Sequence, residues 1–142
     1  MERWDHTAEA EALFRRFAER HGLTFVVETG VPMEVCWTFP EQEGLSLPLT
    51  LGLQNLDELN FGVSDFWSYF FPCEAVAGKF ESILEAWVAG DARIAIMHGR
   101  GRLLQVREGD HWKTVYGASG CIFPFSRSPR GFVQNHRRFE PR

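Results

Sequence analysis

Residues 72–90, PCEAVAGKFESILEAWVAG, constrain the fold more than any other stretch of the chain. Val76, Phe80, Ile83, Leu84, Trp87 and Val88 recur at the 3.6-residue helical period and form one broad apolar stripe, while Glu74, Lys79, Glu81 and Glu85 take the opposite side. Pro72 suits a helix start, where its missing N–H would have no partner, and Gly90 suits the left-handed position that closes a last turn. Gly78 inside the stripe weakens the helix by roughly 1 kcal/mol relative to alanine, so either another backbone approaches it or packing makes up the loss. A helix with so wide an apolar face needs a sheet to cover, and strand patterns stand on both sides of it.

A second helix is expected over about Thr7 to His21, with Ala10, Leu13, Phe14, Phe17 and Ala18 on one stripe, Asp5 or Thr7 as the cap and Gly22 as the stop. Four strands follow: Leu23–Glu28; Met33–Phe39, where Met33, Val35, Trp37 and Phe39 alternate with polar or small residues; Leu45–Leu53; and Leu59–Val63. Pro48 cannot donate to a ladder, so the third of these lies at an edge or begins just after it. Ser64 and Asp65 are suited to cap a short helical turn through FWSYFF.

Residues 93–117 read as a three-stranded meander. A three-residue loop at Gly99-Arg100-Gly101 sets Met97 opposite Leu103 and Ile94 opposite Val106, and a two-residue Gly109-Asp110 loop sets Arg107 opposite Trp112 and Leu104 opposite Val115. That register places Ile94, Ile96, Leu104, Val106 and Val115 on the core face. The other face carries Ala95, Met97, Leu103, Gln105, Arg107, Trp112, Thr114 and Tyr116. Residues 121–125, CIFPF, suit a last strand, and 126–142 form an arginine-rich tail that is either wrapped round the domain or mobile. The expected fold is α+β: a two-layer domain over residues 1–125, with an antiparallel sheet of six to eight strands and both long helices on one face.

Composition bounds the function. A chain of 142 residues has the size of one domain and buries enough apolar surface to fold without metal or disulfide support. Cys36, Cys73 and Cys121 are far apart and form no Cys-x-x-Cys pair, which speaks against a disulfide framework or a thiolate zinc site and for a reducing, cytoplasmic home. The charged first turns speak against an apolar signal region, and no apolar run reaches the ~20 residues of a membrane helix. Residues 1–65 hold 12 acidic against 4 basic residues, and 66–142 hold 7 acidic against 11 basic. Folding turns this asymmetry either into one acidic and one basic face or into mixed surfaces.

Motifs of known chemistry are weak. His98 and His111 sit at opposite ends of a strand, roughly 20 Å apart at the strand rise, and His6 and His21 at the two ends of a helix, about 22 Å apart at the helix rise. Neither pair can share an ion, so no metal and no cofactor are expected. Gly117-Ala118-Ser119-Gly120-Cys121 lacks the glycine that a Gly-x-Ser-x-Gly elbow needs, and His98-Gly99-Arg100-Gly101-Arg102 lacks the lysine and helix of a phosphate loop. Asp57, Glu58 and Asp65 are ordinary turn and cap residues. An acidic chain with no basic stripe on a folded element argues against nucleic acid.

The thirteen Phe and five Trp exceed what a core of this size absorbs, which directs attention to the mixed meander face. The expectation is a non-enzymatic module, chaperone-like or immunity-like in outline, that binds a protein partner or a second copy of itself through Met97, Gln105, Arg107, Trp112, Thr114 and Tyr116. The alternative is a small enzyme or ligand binder whose pocket between helices and sheet gathers Cys73, His98, Arg107, Trp112 or Cys121.

Overall fold

The computed structural model describes residues 5–118 and 128–136. Its first helix, α1, spans Thr7–His21 and buries Ala10, Leu13, Phe14, Phe17 and Ala18, the five residues of its apolar stripe. Gly22 ends it in the left-handed region (φ 62°), donating its N–H to the last turn. His6, in place of the expected Asp5 or Thr7, holds the cap position without a side-chain cap bond of its own, and the Asp5 carboxylate accepts the Thr7 N–H at 3.0 Å.

Four strands then build a meander: β1 (Val26–Val27), β2 (Val35–Phe39), β3 (Leu49–Gln54) and β4 (Glu58–Val63). β3 begins directly after Pro48 and lies in the interior of its sheet, so the proline marks where the ladder starts and not an edge. Trp37, Leu51 and Phe61 stand side by side across β2, β3 and β4, as do Val35, Leu53 and Leu59, and this row forms the inner face. The expected helical turn through FWSYFF is instead extended chain. Phe66–Trp67 forms β5 against β4, and Phe70 exchanges both backbone hydrogen bonds with Leu59 at 2.8 Å. The buried Ser68 hydroxyl completes this edge by accepting the Phe61 N–H at 3.0 Å, and Asn60 Nδ2 donates to the Ser68 carbonyl at 2.9 Å.

The central helix, α2 (Cys73–Ala89), buries Phe80, Ile83, Leu84, Trp87 and Val88, with Gly90 left-handed (φ 83°) at its end. A Cβ placed on Gly78 meets nothing within 4 Å, so that residue is unused space and the packing face carries the helix. Arg16 and Arg20 of α1 pair with Glu81 and Glu85 of α2, which lays the two helices side by side and mixes the acidic and basic halves of the sequence.

A second sheet follows α2: β6 (Ala92–Ile96), β7 (Arg102–Glu108), β8 (His111–Ala118) and β9 (Gly131–Gln134), in the order β8-β7-β6-β9. The fold is α+β and antiparallel throughout, but the described strands form a five-stranded and a four-stranded sheet in place of the single sheet expected. β5 is only two residues long and the chain leaves its ladder for α2, so the sheets meet through side chains. Tyr116 packs on Phe66 and Phe70, and Arg102 donates to the Asp65 carboxylate at 2.8 and 3.1 Å. One apolar cluster runs through both sheets and both helices.

Candidate functional site

The second sheet departs from the expected register in two places. The β6–β7 loop is centred one residue earlier, with Gly99 left-handed (φ 65°) in place of Gly101, so Ile94 faces Leu104 where Val106 was expected. This displaces pairing by two residues and therefore leaves every side chain on its expected face. The β7–β8 ladder runs as expected from Glu108–His111 to Gln105–Thr114, and then a bulge intervenes. Leu104 faces Tyr116, not Val115.

The bulge decides which residues the sheet presents. Tyr116, expected on the open face, turns onto the core face, its ring centroid 5.0 Å from that of Phe70 and 5.9 Å from that of Phe66, while its hydroxyl accepts the Tyr69 N–H at 3.1 Å. Met97 keeps its face but is buried. Gln105, Arg107, Trp112 and Thr114 remain together, with Arg107 and Thr114 exposed.

Two residues absent from the expected set complete this surface. Arg93 stands opposite Gln105, and its guanidinium carbon lies 4.1 Å from the Trp112 ring centroid and 3.9 Å from that of Phe132 on β9. Its Nε donates to Gln105 Oε1 at 2.8 Å, and Gln105 Nε2 donates to Thr114 Oγ1 at 3.2 Å. Arg107 lies over the other flank of the patch, 5.3 Å from the Trp112 centroid and 3.6 Å from the Asp91 carboxylate. Among the described residues no carboxylate comes within ion-pair distance of Arg93. Desolvation first, and then the charge of Arg107, push the Arg93 pKa below its ordinary value. Arg93 was missed although its alternation with Ala95 and Met97 is a signal for this face. Phe132 gave no comparable signal, since four residues of irregular sequence do not announce a strand.

Of the described residues of the alternative enzymatic reading, Arg107 and Trp112 stand together on the open sheet face, and Cys73 and His98 lie elsewhere. Cys73 is buried, and burial first, then Asp57, Glu9 and Glu74, push its thiol up to about 11, which leaves it un-ionised and a poor nucleophile. His98 is exposed on the β6–β7 loop, Arg107 and Trp112 face outward on the second sheet, and Cys121 lies outside the described residues. The space between helices and sheets is filled by Phe14, Phe17, Phe61, Phe80 and Trp87. A groove of about 620 Å³ does open where the sheets meet, lined by Asp65, Trp67, Tyr69, Arg102 and Tyr116 among others, away from that set.

A second cluster brings together residues that sequence spacing separates. His6 Nε2 stands 3.0 Å from Glu74 Oε1 and 3.7 Å from Asp57 Oδ1, and its Nδ1 stands 3.8 Å from Glu9 Oε1. Asp57, expected as a plain turn residue, here joins the starts of both helices. No protein-family model, curated protein or solved structure matches this chain.

Proposed function

We propose that the protein is a non-enzymatic binding module that takes an acidic segment of a partner protein on the open face of its second sheet. One observation carries the reading: Arg93 is held against Trp112 and Phe132 and oriented by Gln105, with no carboxylate partner among the described residues. A guanidinium whose side chain is fixed by rings and a hydrogen bond has already lost the rotamer freedom that binding costs, and its fork matches a carboxylate. Arg107, tied to Asp91 only at 3.6 Å, supplies a second cation beside the same ring. Thr114 and Gln105 add neutral donors and acceptors, and Trp112 and Phe132 add the apolar area that anchors such patches. Cys36 and Cys73, free and buried, suit a reducing cytoplasm.

Selection of random peptides against the folded protein tests the reading. Peptides rich in Asp and Glu are expected to be enriched, and Arg93→Ala or Trp112→Ala is expected to weaken them at least tenfold while the fold is retained. Selected peptides without acidic residues, or acidic peptides that bind both variants as well as the wild type, overturn it. A stable dimer in sedimentation that Arg93→Ala dissociates overturns the choice of partner, making a second copy the occupant.

A further inference from the structure

We infer that His6, Asp57 and Glu74 form a site for a divalent transition-metal cation, for which zinc is the best match. The three residues come from three elements: the cap of α1, the turn between β3 and β4, and the first turn of α2. Their ligand atoms all lie within 4.8 Å of one another. A tetrahedral zinc ion with bonds of about 2.0–2.2 Å holds its ligand atoms roughly 3.4 Å apart. The separations of 3.0 Å from His6 Nε2 to Glu74 Oε1 and 3.7 Å to Asp57 Oδ1 fall on either side of that value, so small side-chain shifts admit the ion.

The surroundings support a ligand set. Glu9 Oε1 stands 3.8 Å from His6 Nδ1, the nitrogen that faces away from the ion, so a small side-chain shift makes the hydrogen bond by which carboxylates orient metal-bound imidazoles. The Asp57 Oδ1 atom accepts the Cys73 N–H at 2.9 Å, and the His6 N–H donates to the Leu56 carbonyl at 3.0 Å, so each of His6 and Asp57 is tied to the residue beside another ligand. Three carboxylates around one imidazole leave excess negative charge whatever its protonation, and a dication bound to the neutral ring offsets two of the three negative charges. Imidazole with carboxylates suits zinc among the common divalent ions, whereas calcium and magnesium take oxygen alone. His6 is largely buried while Glu74 is exposed, so the site is shaped on one side and open to solvent on the other, with a fourth position for water. Bound there, the ion ties both helix starts to the first sheet.

Calorimetric titration of the metal-free protein with zinc chloride tests the site, with cobalt(II) as a spectroscopic probe of tetrahedral geometry. One equivalent is expected to bind and to raise the melting temperature. His6→Ala is expected to weaken binding at least a hundredfold, and Glu9→Gln, which leaves the ligands in place, about tenfold. Glu74→Gln, at an exposed position, keeps the inference testable should His6→Ala fail to fold, and His21→Ala, away from the cluster, is expected to leave zinc binding unchanged. Absence of binding at millimolar zinc overturns the inference, as does stoichiometric binding that His6→Ala and Glu74→Gln leave unchanged.

Discussion

Replacing Tyr116 by alanine separates the bulged sheet from a regular one. In a regular ladder Tyr116 faces outward beside Thr114, and truncating it changes stability by less than about 0.5 kcal/mol, as for surface positions in general. In the structure its ring contacts Phe66 and Phe70, with centroids 5.9 and 5.0 Å away, and its hydroxyl takes the Tyr69 N–H. Aromatic pairs of this geometry contribute about 0.5–1.5 kcal/mol each, and the hydrogen bond about 1 kcal/mol. Truncation of a fully buried ring costs about 3–5 kcal/mol; Tyr116 is half-buried, so about 2–3 kcal/mol is expected. For a chain of this length that lowers the melting temperature by roughly 6–12 °C. Tyr116→Phe keeps the rings and is expected to cost only about 1 kcal/mol. Urea denaturation of both variants, with Thr114→Ala as the outward-facing control, reads the difference. A Tyr116→Ala midpoint equal to that of Thr114→Ala refutes the bulge and the junction between the sheets.

Three further outcomes follow from single residues. Gly78→Ala is expected to stabilise the protein by about 0.5–1 kcal/mol in the same denaturation, because alanine is the better helix former and its methyl group meets nothing within 4 Å. The Arg16 hydrogen bond, and then the charges of Arg16 and Arg20, hold the Glu81 carboxyl below its usual range despite partial burial. A lowered carboxylate pKa adds stability above the unfolded value, and this is lost as pH falls through the folded one. Glu81→Gln is therefore expected to cost under about 1 kcal/mol at neutral pH and to converge with the wild type as the pH falls through the lowered folded value, seen in melting temperatures across pH. Cys73, with its thiol pushed up to about 11 from 9.0, is expected to react with alkylating reagents at pH 8 on the order of a hundredfold more slowly than a free cysteine, until denaturant exposes it.

The helices were legible because stripe, start and stop agreed: Thr7–His21 and Cys73–Ala89 run to the glycines the sequence places after them. The β6–β7 hairpin was legible in its faces though not in its centre, since a two-residue displacement keeps the alternation. The bulge was not. Val115 and Tyr116 both suit a buried strand position, and nothing local says which one the ladder skips. The division into two sheets depends on where β5 stops pairing, which Trp67, Ser68 and Tyr69 do not signal in sequence. On the open face, Gln105, Arg107, Trp112 and Thr114 followed from alternation, whereas Phe132 reaches Arg93 only because β9 adds to β6. The His6–Asp57–Glu74 cluster joins residues with no periodic relation, because it is made by two helices starting beside one turn.

The claim that Arg93 and Trp112 await an acidic partner is met most directly by following the five tryptophan indole N–H resonances during titration with a polyglutamate peptide. The Trp112 signal is predicted to shift, to do so less as salt is raised, and to stay still in the Arg93→Ala variant. An unmoved Trp112 signal, or a shift that survives Arg93→Ala, contradicts the account.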